Sequence, residues 1–253
     1  MGTGVMPHVI IVFPCYNEAK RLEVAQFVNL QLPHHRLEFL FVNDGSQDDT
    51  FKLLKTLRSL APEQIDLLDL QPNQGKAEAV RQGFLWSMKK SPDYIGFWDA
   101  DLATPLDEIP RFCEILDLQP DLDMVFGARV KLLGRAIERK AYRHYFGRVF
   151  ATAVSLVLNL PIYDSQCGAK LFRQNEPLRQ AFATPFLSRW VFDVEIIARL
   201  KKIQDGQGIE IGSKIYELPL RQWQDVRGSK LHLKDGLLAY LDLWKIYKAY
   251  LSK

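Results

Sequence analysis

Apolar residues gather along this chain in short blocks of five or six, each closed by polar or turn-forming residues. His8-Val9-Ile10-Ile11-Val12-Phe13 stops at Pro14, and Leu37-Glu38-Phe39-Leu40-Phe41-Val42 stops at Asn43-Asp44-Gly45-Ser46. Ile65 to Leu70 forms a third block, and Tyr94-Ile95-Gly96-Phe97-Trp98 stops at Asp99-Ala100-Asp101. Blocks of this length, rich in β-branched and aromatic residues, predict strands buried on both faces. Between them the spacing turns helical, from Glu18 to Leu30, from Asp48-Asp49 to about Leu60, and from Gly75 to Lys89. The acids that open the second of these suit the positive end of a helix dipole. Strands alternating with helices imply right-handed crossovers and an α/β fold with a mostly parallel sheet flanked by helices. A helix over Asp107–Leu118 and a strand over Met124–Ala128 extend the series.

Beyond Ala128 the pattern changes. Seven basic residues lie between Arg129 and Arg148, and Arg135, Arg139 and Arg143 recur every fourth position. Read as a helix, that spacing lines three guanidiniums along one face. An apolar stretch from Val149 to Leu160 follows, broken by Thr152, Ser155 and Asn159, and Pro161 closes it. A short strand over Ala169–Phe172, a helix over Val191–Lys201 and a strand or hairpin over Ile209–Leu218 come next. The chain closes with an amphipathic helix, Leu231 to Leu251, rich in Leu, Tyr and Trp. No repeat, low-complexity tract or linker interrupts it. One domain over 1–253 is expected, with residues 129–253 completing a site begun by residues 8–128.

At 253 residues and 47% hydrophobic the chain can bury a sizeable core. A net charge of +3 lacks the strong basic footprint of a nucleic-acid binder, so none is expected as a partner. Cys15, Cys113 and Cys167 are widely spaced, with no metal-ligand interval, and read as reduced thiols of a cytoplasmic protein. No apolar run of about 18 residues exists to cross a bilayer, and Val9–Phe13 is too short for a signal peptide.

Ligands of open α/β sheets sit at the C-terminal ends of the strands, near the point where strand order reverses. Asp99 and Asp101 end the fourth block. If extended geometry persists through them, both carboxylates face one cleft, as a hard divalent cation shared with a phosphate would need. A strand-end turn explains the same residues more simply. Pro14-Cys15-Tyr16-Asn17-Glu18 and Asn43-Asp44-Gly45-Ser46 end the first two strands and offer an aromatic ring, carboxylates and backbone amides to a base and ribose. Asn73-Gln74-Gly75-Lys76 opens a helix whose amides and ammonium can meet a phosphate. It lacks the glycine pattern of a Walker loop. Arg227-Gly228-Ser229-Lys230 reads either as an ordinary surface turn or as a mobile loop closing over phosphates.

Pro14-x-Tyr16-Asn17-Glu18, Asn43-Asp44-Gly45-Ser46, Asn73-x-Gly75-Lys76 and Asp99-Ala100-Asp101-Leu102 follow one another as in the GT-A-fold family-2 glycosyltransferases. Within that family the chain resembles the dolichyl-phosphate glucosyltransferases, and next the dolichyl-phosphate mannose synthases. The segments behind this are Asp164-Ser165-Gln166-Cys167-Gly168-Ala169-Lys170-Leu171-Phe172, Arg189-Trp190-x-Phe192-Asp193-x-Glu195, and Trp223 with Gly228-Ser229-Lys230. The resemblance spans about residues 8 to 245.

It implies that Pro14, Tyr16, Glu18, Asp44 and Gly45 hold the nucleoside. It also implies that Lys76, Asp99 and Ala100 border the nucleotide-sugar, and that Asp99 and Asp101 hold Mg2+ or Mn2+. The mannose synthases commonly place a further metal-binding glutamine where this chain has Ala103, which water can replace. The implied acceptor is a polyprenyl phosphate at the cytoplasmic face of a membrane. Arg129, Arg135, Arg139, Arg143, Arg227 and Ser229 are expected around its phosphate, with Asp164 and Gln166 in a loop nearby, and Arg139, Arg143 and Lys230 are expected to be catalytic together with Asp99 and Asp101. The basic tract has a second reading as a solvated face or one resting on anionic lipid. The tail helix can likewise be core packing or a peripheral membrane contact.

The expected reaction is an inverting transfer of a hexose, glucose from UDP-glucose first and mannose from GDP-mannose second. A family-2 transferase with a soluble glycan acceptor would need a base for a neutral hydroxyl, which three arginines do not supply. Sugar-phosphate nucleotidyltransferases carry a glycine-rich loop after the first strand, where this chain has Pro14-Cys15-Tyr16-Asn17-Glu18. Asp99, Asp101 and Lys230 together argue against a non-catalytic binding module, which a Mg2+-dependent turnover assay decides.

Overall fold

The computed structural model describes residues 6–28, 30–138, 141–226 and 233–252; the side chains of 141–146 and 233–237 lie outside that description. The chain runs β1 (His8–Cys15), α1 (Val24–Val28), β2 (Arg36–Asp44), α2 (Thr50–Leu60), β3 (Ile65–Leu70), α3 (Lys76–Met88) and β4 (Tyr94–Trp98). It continues through α4 (Ile109–Leu118), β5 (Met124–Ala128), β6 (Ala136–Glu138), α5 (Ala141–Leu158), β7 (Ala169–Arg173) and α6 (Glu176–Ala183). Then come α7 (Phe192–Asp205), β8 (Ile215–Pro219), β9 (Gln222–Gln224) and α8 (Leu233–Ile246), which ends in a π turn, Tyr247–Leu251.

Seven strands form one sheet in the order β3-β2-β1-β4-β7-β5-β8, parallel except for β7, which runs antiparallel to β4 and β5. The alternation along β1 shows why its residues form a doubly covered strand. Val9, Ile11 and Phe13 face the layer built by α1, α2 and α4, while Ile10 and Val12 face that of α3, α5, α6, α7 and α8. All five of these residues are fully buried. A sheet with helices on both faces demands such unbroken apolar runs.

Strand order reverses between β1 and β4, which pair in parallel with Val12 opposite Phe97. The ends of these two strands, Pro14 onward and Asp99 onward, therefore flank the switch point, where open α/β sheets bind ligands.

Three expectations need correction. Only Val24–Val28 of the helix predicted over Glu18–Leu30 is helical, because residues 18–22 form a turn tied back through Glu18. Arg135 lies in no helix, since it precedes β6 at 136–138 and α5 starts only at Ala141, so the helical stripe does not extend to it. Arg139 and the side chain of Arg143 lie outside the described residues. The extended residues 136–138 pair with the 222–224 segment to form a separate two-stranded sheet, a non-local pairing that local spacing does not announce. The 209–218 segment is a strand only from Ile215, after a 3-10 turn.

Gly83 of α3 lies so close to β1 and β2 that a Cβ there would run into Cγ1 of Val12, with Cγ2 of Val42 at 3.1 Å. Gly83→Ala is expected to cost about 1–3 kcal/mol by overpacking, whereas on an exposed helix surface it gains up to about 1 kcal/mol. Urea denaturation reads the sign, and a stabilised variant would contradict this close approach.

Candidate active site

Extended geometry ends at Trp98, and residues 99–102 form a turn instead. The amide of Leu102 donates to the carbonyl of Asp99 at 3.1 Å, and Leu102 takes a left-handed φ of 52°. The Ala103 amide donates to Asp101 Oδ1 at 3.2 Å, and the Trp98 indole donates to the Thr104 carbonyl at 3.0 Å. A turn, and not a continuing strand, brings the two acids together. Burial first, and then the charge of Asp99, holds the Asp101 carboxyl above its ordinary value, so the two carboxylates share one field.

Each acid has a cation. Lys76, the first residue of α3, places Nζ 2.5 Å from Asp99 Oδ1. Burial works against this ammonium, but the carboxylates of Asp99 and Asp193 outweigh it and raise its pKa. Arg21 places Nη1 3.6 Å from Asp101 Oδ2 and is anchored to Glu18 through Nε at 2.7 Å and Nη2 at 2.5 Å. Gly168 completes the seat. Its carbonyl accepts from the Asp99 amide at 3.0 Å, and a Cβ there would overlap the Asp99 carboxylate.

The loops around this pair are stitched together by polar groups. Asn17 and Glu18 donate their amides to Ser46 Oγ at 3.1 Å and Thr50 Oγ1 at 2.7 Å, joining the ends of β1 and β2. Asp44 is only 2% exposed. Its carboxylate accepts from the amides of Gln74 at 2.7 Å and Gly75 at 2.8 Å, and from Asn73 Nδ2 at 2.8 Å. The amides expected to meet a phosphate at the start of α3 are thus held by Asp44. Gly45 permits this approach, with φ at 63° and the Asn73 amide 2.5 Å from where a Cβ would sit. Pro14 and Tyr16 are half-buried beside this rim, and Ala100 is buried within the acidic turn.

The acceptor-side expectations fare differently. Arg129 forms a two-pronged pair with Asp164, Nε to Oδ2 at 2.6 Å and Nη2 to Oδ1 at 2.7 Å, while its amide donates to Oδ2 at 3.0 Å. Asp164 sits in a loop whose amides at 163 and 164 donate to Glu217 of β8 at 2.8 and 2.6 Å. Arg129 is therefore a bracket between strand and loop. Gln166 is exposed. Arg135 lies just before β6. Arg139, Arg227, Ser229 and Lys230 lie outside the described residues, as does the side chain of Arg143. Burial pushes the Cys167 thiol up to about 11, which rules it out as a thiolate nucleophile near neutral pH.

Sequence reasoning missed three parts of this site. Arg21 was hidden by reading 18–30 as one helix, although its three-residue spacing from Glu18 was the available signal. Lys170, fully buried on β7, pairs with Asp193 of α7 at 2.7 Å, and Glu217 holds the 163–164 loop. Charged residues inside apolar stretches mark both.

Among the described residues no cluster of three or more His, Cys, Asp or Glu is arranged to hold a metal. Two carboxylates already facing cations still suit a hard divalent ion that draws its other ligands from a diphosphate and water.

A mixed, mostly parallel sheet with an acid pair at its switch point is the architecture of the GT-A glycosyltransferases. Glucosyl-3-phosphoglycerate synthase from Mycobacterium tuberculosis, solved with Mn2+, uridine diphosphate and glucosyl-3-phosphoglycerate, superposes with a TM-score of 0.68 at 16% identity, covering 96% of this chain and 80% of that one. The same synthase has been solved with Mg2+ and uridine diphosphate, with a TM-score of 0.67.

The chain belongs to glycosyl transferase family 2, whose model matches residues 10–176. It is 32% identical over 237 residues to the dolichyl-phosphate beta-glucosyltransferase of Dictyostelium discoideum, covering 88% of this chain and 68% of that protein. The enzyme of the same name from Saccharomyces cerevisiae is 32% identical over 264 residues, covering 95% and 74%. The one from Homo sapiens is 31% identical over 237 residues, covering 87% and 68%.

Removing one partner from a buried two-pronged ion pair costs about 3–5 kcal/mol. Arg129→Ala is therefore expected to lose about 3 kcal/mol of stability in denaturant unfolding. Unchanged stability with a selectively weakened response to a phosphate acceptor would return Arg129 to phosphate binding.

Proposed function

We propose that this chain transfers glucose from UDP-glucose to the phosphate of a polyprenyl lipid of the dolichyl type, inverting the anomeric centre. The observation that carries this is the Asp99–Asp101 turn at the switch point, each acid facing its own cation. The activity named for the relatives from Dictyostelium, yeast and human supports the donor sugar and the lipid.

In this reading Asp99 and Asp101 hold Mg2+ or Mn2+, with Ala103 leaving a coordination place to water. The bound ion supplies Lewis acidity and a template for the leaving diphosphate. Pro14, Tyr16, Glu18, Asp44 and Gly45 frame the nucleoside, with Asp44 acting chiefly by fixing the 73–75 loop against it. Lys76 and Arg21 bring positive charge to the diphosphate, and Ala100 keeps the turn small beneath the sugar.

The acceptor is a phosphate monoester whose second pKa is about 6, so at neutral pH it is largely a dianion. Its oxygen attacks the anomeric carbon from the face opposite the leaving group, forming one C–O bond as the other breaks. A charged nucleophile needs orientation more than it needs a base. Arg135, Arg139, Arg143, Arg227, Ser229 and Lys230 are assigned to holding the acceptor phosphate, where guanidinium forks bind best. Asp164 and Gln166 border it, with Asp164 holding Arg129.

No helix among the described residues is long and apolar enough to cross a membrane. Leu238, Leu241 and Trp244 of α8, and Val149 and Leu156 of α5, are each more than half exposed. Phe150 of α5 meets Tyr240 of α8 ring to edge at 5.4 Å, so the two helices lie side by side. Such a surface supports peripheral contact with the cytoplasmic face of the membrane that carries the acceptor.

Release of nucleoside diphosphate from UDP- and GDP-sugars, with Mg2+ or Mn2+ and with or without a short polyprenyl phosphate, tests this. UDP-glucose should be the preferred donor, and the lipid should stimulate release at least about tenfold, equivalent to about 1.4 kcal/mol in the barrier. Stimulation by a soluble sugar acceptor and not by the lipid would overturn the acceptor assignment.

A further inference from the structure

We propose that Arg21 and Lys76 are exchangeable counter-cations, holding Asp101 and Asp99 while the cleft is empty and passing to the donor's diphosphate when a divalent ion takes the two acids. This rests on reading the cleft as a nucleotide-sugar site.

The two contacts differ in a way that suits exchange. Arg21 commits Nε and Nη2 to Glu18 at 2.7 and 2.5 Å, leaving Nη1 3.6 Å from Asp101. That last separation is too long for a hydrogen bond. Losing Asp101 therefore leaves the guanidinium anchored in the cleft with a free donor edge, the group best shaped for a phosphate. Lys76 has a single short contact, to Asp99 Oδ1, from a flexible stem at the first position of α3. Its side chain is 29% exposed, and that of Arg21 is 21% exposed, so solvent and ligand reach both.

Leaving Asp99 does not strand the ammonium. Asp193, in the first turn of α7, also acts on it, and Phe192 lies with its ring centre 5.9 Å from Nζ. Charge balances in both states. Two acids face two cations in the empty cleft, and a divalent ion with the donor's anionic diphosphate leaves the same balance after the partners change. Moving the cations between partners in this way avoids a bare acid pair in a partly buried turn.

The test measures Mn2+ binding without nucleotide, by electron paramagnetic resonance of the free ion, and UDP binding at saturating Mn2+, by calorimetry. Wild type is compared with Arg21→Met, Lys76→Met and the polar variants Arg21→Gln and Lys76→Gln. Removing either cation should tighten Mn2+ binding severalfold and weaken UDP binding about tenfold, which is about 1.4 kcal/mol. Structural damage would weaken both, so opposite signs are the signature. If wild type binds both ligands but the variants bind Mn2+ no more tightly, or UDP equally well, the exchange is wrong and the site reading stands. If wild type binds neither Mn2+ nor UDP, the site reading and the exchange fall together.

Discussion

The contact on which the site depends is the one between Lys76 and Asp99. It joins the first residue of α3 to the end of β4, and thus closes the cleft across the point where strand order reverses. Two acids in one partly buried turn repel each other, and burial adds a cost for each charge. A cation from a neighbouring element makes that turn tolerable. The seat beneath Asp99 imposes a second condition, because only a glycine at 168 leaves room for the carboxylate. Sheet topology, a glycine and a lysine thereby fix where the acid pair sits.

Around that contact, polar side chains do the positioning that regular secondary structure does elsewhere. Asp44 ties the 73–75 loop to the end of β2, Ser46 and Thr50 tie the 17–18 loop to the same region, and Glu217 ties the 163–164 loop to β8. Loops held by such polar side chains keep a fixed shape, which suits a transfer in which orientation supplies most of the rate. The Lys170–Asp193 pair serves the same end at the base of the cleft, since a buried charge left without its partner is strongly destabilising.

Much of this was legible from residue order. The first five strands of the sheet follow directly from apolar blocks whose ends coincide with turn residues, because doubly covered strands admit few polar positions. Asp99 and Asp101 were legible as a pair for the same reason, since acid directly after a buried block must emerge at a sheet edge. What local spacing misassigned depends on distant partners. Residues 136–138 are a strand only because residues 222–224 pair with them, and that takes Arg135 out of the expected helix. Asp44 and Arg129 were read as ligand-binding charges, and each also holds a partner about 30 or more residues away, a structural role that local spacing does not announce. Arg21 was the reverse case, an unremarked surface charge that the turn after β1 carries into the cleft.

The role of the acid pair is tested most directly by a crystal structure of the chain with UDP and Mn2+, read through the anomalous signal of manganese. A manganese peak is expected at the carboxylates of Asp99 and Asp101, next to the diphosphate, with the uracil beside Pro14 and Tyr16. A peak away from these two acids, or a nucleotide bound elsewhere than at the ends of β1 and β4, would contradict that role.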